Sequence, residues 1–91
     1  MTVTLDGRFL RLAASLPATE QAKLFKAILE LKTALADPHR HTGLGIRRLR
    51  QGLWELRVGL DLRAIFQLES GHAVFAFLGS HDEVQRYLRS L

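Results

Sequence analysis

The sequence predicts an α+β protein: a small antiparallel sheet packed on a helical hairpin, closed by a short C-terminal helix. Three observations predict it. Apolar residues recur at helical spacing between Phe9 and about Ala36, and they alternate as in strands between Leu53 and Leu78. Ser80 followed by Glu83 then gives a capping box that opens a final amphipathic segment. The expected order is β-α-α-β-β-β-α, with helices segregated from the sheet. At 91 residues the chain has material for one core, so residues 1–91 are expected to form a single domain.

Each element has its local cause. Thr2 to Leu5 alternates, with Val3 and Leu5 on one face, as in a short first strand. Asp6 can cap a helix in which Phe9, Leu12, Ala13 and Leu16 share a side before Pro17. A second helix is expected from about Ala18 to Ala36, with Leu24, Ile28, Leu31 and Leu35 inward and Lys23, Lys26 and Glu30 outward. Asp37-Pro38 should end it, because the residue before a proline is held out of the helical region. His39 to Gly45 reads as a loop, and Ile46 to Arg50 as the opening of the next strand.

Along Leu53–Val58, parity puts Trp54, Leu56 and Val58 on one face and Glu55 and Arg57 on the other. After a turn at Gly59-Leu60-Asp61, Leu62, Ala64, Phe66 and Leu68 face the core, and Arg63, Ile65 and Gln67 oppose them. Ser70-Gly71 turns the chain again. Ala73–Leu78 is apolar on both faces, as for a central strand covered on both sides. In the closing helix Val84, Tyr87, Leu88 and Leu91 recur along the docking side.

Composition excludes several classes of chemistry. There is no cysteine, hence no disulfide framework, thiolate nucleophile or cysteine-based zinc site. His39 and His41 lie two apart with no third ligand in view, so neither a metal nor another cofactor is expected. The longest apolar run, Ala73 to Leu78, is too short to cross a bilayer, and the opening MTVTLDGRF lacks the apolar stretch of a signal peptide. A cytoplasmic protein is the expectation.

The net charge of +4 is concentrated. Between Arg40 and Arg63 stand six arginines against two acids, Glu55 and Asp61, while the rest of the chain is balanced. Arginine's planar fork suits phosphate, so Arg47, Arg48 and Arg50 are expected to contact RNA; solvated charges guarding an edge strand are the alternative. Glu55 and Arg57 project from one strand face, and Arg63 can join them from the neighbouring strand. His81 would stand at the first position of the last helix, whose unpaired N–H groups attract anions. Acid, imidazole and two guanidiniums are what metal-free cleavage of an RNA phosphodiester needs. An exposed ion-pair network and a surface histidine form the competing explanation. Tyr87 could orient or stack on a base, although its spacing with Val84, Leu88 and Leu91 better suits a docking anchor with its hydroxyl at the rim.

Three segments carry a resemblance to a known family: Leu49-Arg50 with Gly52 to Gly59 (GLWELRVG), Asp61 to Phe66 (DLRAIF), and Leu78 to Val84 (LGSHDEV). Through them the chain resembles the RelE/ParE superfamily of toxins from type II toxin–antitoxin systems, over nearly its whole length. For the RelE branch the resemblance implies a ribosome-dependent mRNA interferase that acts in the ribosomal A site and is silenced by a cognate antitoxin. By position, Arg63 matches the arginine that steadies the scissile phosphate, and His81 a basic or histidine position after the last strand. Glu55 and Arg57 fall on the strand that supplies the other catalytic groups, with Tyr87 as a further candidate. Gln85 stands where many relatives have tyrosine. Leu53 and Glu55 stand where RelE itself has lysines, which points to a glutamate–histidine variant. The ParE branch implies DNA gyrase as the alternative target, and a homologue that only binds its antitoxin is the third reading.

Overall fold

The computed structural model describes residues 1–36, 45–50 and 52–91. The elements run β1 (Thr2–Leu5), α1 (Gly7–Ala14), α2 (Ala18–Ala36), β2 (Ile46–Arg50), β3 (Leu53–Val58), β4 (Leu62–Glu69), β5 (His72–Gly79) and α3 (His81–Arg89). The expected stop at Asp37-Pro38 and the loop histidines His39 and His41 lie outside the described residues.

The α+β architecture is the expected one, and the antiparallel meander β3–β4–β5 forms its middle. Two strands extend it. Ile46–Arg50 is a strand of its own, antiparallel to β3, and β1 joins the other edge parallel to β5. The order is β1-β5-β4-β3-β2, so the sheet as a whole is mixed. A parallel pair needs a long crossover, which here includes both hairpin helices.

Short-range signals fix the helix starts. Asp6 Oδ1 accepts from the Phe9 N–H at 2.8 Å, and Ser80 and Glu83 form a reciprocal capping box at α3. Gln21 Nε2 donates to the Ala13 carbonyl at 2.9 Å and ties α2 to α1. The β4–β5 hairpin turns on Ser70 and Gly71, both at positive φ, as a two-residue turn demands.

The hairpin covers one face of the sheet. Phe9, Leu24 and Leu31 bury themselves against Leu56, Phe66 and Phe75. Phe75 packs between Phe9 and Phe66 at centroid distances of 5.4 and 5.0 Å. Each such side chain contributes about 1.5–3 kcal/mol by leaving water. A smaller cluster of Ile65, Phe77, Val84 and Leu88 seats α3 on the opposite face.

Simple alternation fails in β5. Ile65 pairs with Phe77 and Phe66 with Phe75, so the ladder skips Ala76. That bulge reverses the parity: Phe75 joins the hairpin core, and Phe77, two residues on, joins the α3 cluster. It also sets where Gly79 and the start of α3 lie relative to Arg63, whose Cα partner is Gly79.

The capping box has a pH signature. The Ser80 backbone N–H donates to Glu83 Oε1 at 2.8 Å. That bond foremost, then the Ser80 hydroxyl and least the Arg86 charge hold the Glu83 carboxyl below its ordinary 4.5, against the opposing effect of burial. A depressed folded-state value contributes stability above the unfolded value and loses it as pH falls through the folded one. Urea unfolding should therefore show stability declining below pH 4.5, and Glu83→Gln, which keeps a capping amide, should flatten part of that decline. Superimposable profiles for the two proteins would contradict this role.

Candidate functional site

On the sheet face that carries α3, beside the helix start, β2, β3 and β4 place a row of charges. Glu55 is central. Its Cα partners are Arg47 on β2 and Ile65 on β4, while Arg57 lies directly opposite Arg63. Strand parity points Glu55 away from Trp54 and Leu56, yet it is only 5% exposed. A carboxylate this deep needs compensating charge, and two arginines supply it. Arg47 Nε lies 3.5 Å from Glu55 Oε2, and Arg63 Nε lies 3.8 Å from Oε1. Oε1 is fully buried and has no hydrogen-bond partner among the described residues.

Arg63 is itself largely withdrawn from water and is anchored from behind. Its Nη1 donates to the Leu60 and Leu62 carbonyls at 3.2 and 3.4 Å, which fixes the guanidinium against the β3–β4 turn. Arg57 differs. It is exposed, and among the described residues it makes no ion pair with a carboxylate. Facing Arg63 across the ladder, it brings two like charges together, which costs stability unless an anion lies between them.

His81 completes the set as the first residue of α3. Ser80 Oγ accepts from the Glu83 N–H at 3.2 Å and fixes the helix start, and the exposed His81 lines the pocket beside it. Glu55, Arg57, Arg63 and His81 line one pocket of about 430 Å³ together with Arg47. Among the described residues the pocket's cations exceed its single carboxylate, so it attracts anions. A buried carboxylate oxygen that lacks a donor, guanidiniums and an imidazole within one concavity can bind a phosphodiester and move protons around it.

Three expected site residues go elsewhere. Tyr87 is not at the pocket; its ring stacks on Phe77 at 4.4 Å and 8°, with the Arg8 guanidinium 5.5 Å from its centroid. The helical spacing that suited a docking anchor prevails. The arginine patch also divides. Arg47 lines the pocket, whereas Arg48 pairs with Trp54 and so projects toward the hairpin side. A bulge between Arg48 and Arg50 turns Arg50 to the α3 side, where it donates to the Leu88 carbonyl at 3.5 Å. Arg47 was legible as basic but not as a neighbour of Glu55, because that required the β2–β3 register.

Among the described residues no group of three histidine, aspartate or glutamate side chains gathers as metal ligands would, and no helix is long and apolar enough to cross a membrane. No protein-family model and no curated protein matches the chain. Solved structures do match, and they define the class: this is the fold of the RelE-like toxins. A free RelE mutant from E. coli superposes with a TM-score of 0.70 at 16% identity, over 96% of this chain and 90% of that one. The toxin–antitoxin complex RelB–RelE from Methanococcus jannaschii gives 0.68 at 12%, over 92% and 96%. The YoeB–YefM complex from Staphylococcus aureus gives 0.63 at 18%, over 89% and 97%.

If Arg57 is held against Arg63 only for an anion's sake, removing it relieves the free protein. Arg57→Gln should leave stability unchanged or raise it by about 0.2–0.5 kcal/mol in urea unfolding, while phosphate loses its stabilising effect. A loss above about 1 kcal/mol would show that Arg57 is structural.

Proposed function

We propose that this chain is the toxin of a type II toxin–antitoxin pair and an endoribonuclease that cuts mRNA in the ribosomal A site. One observation carries the reading: Glu55, Arg57, Arg63 and His81, together with Arg47, line a single cationic pocket in which a buried carboxylate oxygen lacks a donor. The likeness of the fold to RelE and YoeB, both solved in complexes with antitoxins, supports a protein partner that silences it. The same neighbours lend no support to DNA gyrase as target. The protein would act in the cytoplasm, where translation proceeds.

In the proposed reaction the scissile phosphate lies between Arg57 and Arg63. The Glu55 carboxylate accepts the proton of the ribose 2′-OH, and the 2′ oxygen attacks phosphorus. The bond to the 5′ oxygen breaks as His81, in its imidazolium form, gives that oxygen a proton. The products are a 2′,3′-cyclic phosphate and a 5′-OH, and the two side chains exchange protonation states. Arg57 and Arg63 meet the charge that develops on the equatorial oxygens, where pre-positioned cations act most strongly. Arg47 lies 3.5 Å from Glu55 Oε2 and is a positioning residue.

Purified protein added to programmed ribosomes should cut within the A-site codon and leave cyclic-phosphate ends. Arg63→Ala or His81→Gln should slow cutting by about 10²-fold or more. Intact message with trapped cleavage complexes on supercoiled DNA would overturn the reading in favour of gyrase. Undiminished cutting in either variant would remove that residue from the mechanism.

A further inference from the structure

We propose that the groove between α2 and the end of β3 is a second phosphate subsite. It would hold a flanking phosphodiester of the RNA whose scissile phosphate lies in the Glu55 pocket. The inference rests on the nuclease reading and adds to it the path by which the strand leaves the pocket.

The groove is a cavity of about 250 Å³ lined by Lys23, Lys26, Glu30, Arg57 and Gly59 among others. It shares Arg57 with the 430 Å³ pocket, so the two concavities meet at one exposed guanidinium. Three cations face one carboxylate, and the balance favours an anion. Lys23 has only a solvent-exposed contact with Glu20, at 3.5 Å, which contributes little and yields readily to a ligand. Lys26 makes no ion pair among the described residues.

Shape and chemistry agree on backbone rather than base. The apolar lining is limited to Ala27 and Val58, with no aromatic ring on which a base could stack. Ammonium groups are compact charges that suit a phosphate in any rotation, whereas the forked arginines suit the fixed scissile group. Gly59 sits at φ +67° with no heavy atom within 4 Å of where a Cβ would stand, so the wall is low there. The larger cavity beside the same turn, about 590 Å³, shares Lys23 and Gly59 with the groove but sets three carboxylates, Glu20, Asp61 and Glu83, against that one cation. Those carboxylates would repel a phosphate and leave the lysine groove as the favourable exit.

Fluorescence anisotropy tests the subsite with a ribonucleoside 3′-phosphate and with short RNAs made uncleavable by a 2′-deoxy sugar at the cut. Extending the RNA on one side of the cut should tighten binding about tenfold over the mononucleotide. The Lys23→Gln/Lys26→Gln protein should lose that gain, and with it about 0.7 of the salt slope for each contact removed. Its mononucleotide affinity should be retained, and the neighbouring control Lys32→Gln should change nothing. Equal binding of the extended RNA by the lysine variant, or no gain from extension on either side, would overturn the subsite and leave the pocket standing. No binding of mononucleotide or RNA by the unaltered protein would likewise overturn the subsite, whereas the nuclease reading falls only if message on programmed ribosomes stays uncut.

Discussion

A single buried carboxylate organises the functional face of this molecule. Glu55 sits in the middle of a sheet, and only 5% of it is exposed. Such a group is destabilising unless positive charge accompanies it, and the price of that burial is met by Arg47 on one strand and Arg63 on another. The compensation is incomplete: Oε1 is in ion-pair range of Arg63 but has no hydrogen bond among the described residues. A site built for stability alone would satisfy that oxygen or replace it with a hydrocarbon. Leaving it without a donor, in a pocket with unneutralised arginine, fits a carboxylate kept for proton transfer rather than for stability.

The rest of the fold places partners around this carboxylate. One irregularity in the ladders matters most, as bulges often do beside functional sites. The skip at Ala76 lets Phe77 reach the α3 cluster and brings Gly79 opposite Arg63, from where one capping residue leads to His81. Gly79 itself has no room for a side chain: a Cβ would come within 3.0 Å of Glu83 and 3.2 Å of Phe77. The sheet, the bulge and the capping box thus form one positioning device, with apolar packing on α3 holding it shut.

Much of this was legible in the sequence because its causes are local. Asp6, Ser80 and Glu83 announce helix starts, and alternation through Leu53–Val58 correctly sets Glu55 and Arg57 against Trp54 and Leu56. Arg63 and His81 could be brought to the same pocket from parity and connection length alone. What escaped depended on register between strands distant in sequence or on an inserted residue. No composition signal marks the skip at Ala76, and none distinguishes Arg47, beside Glu55, from Arg50, turned toward α3 by its bulge. Tyr87 carried two compatible readings, and only the position of Phe77 decides for packing.

Glu55 and Arg63 form one electrostatic unit shielded from water. A double-mutant cycle in urea unfolding, with Glu55→Gln, Arg63→Gln and the combined protein, measures that unit directly. Coupling of about 1 kcal/mol or more is the predicted result. Additive effects, within about 0.3 kcal/mol, would mean that the two side chains do not sense each other and that the pocket lacks its organising charge.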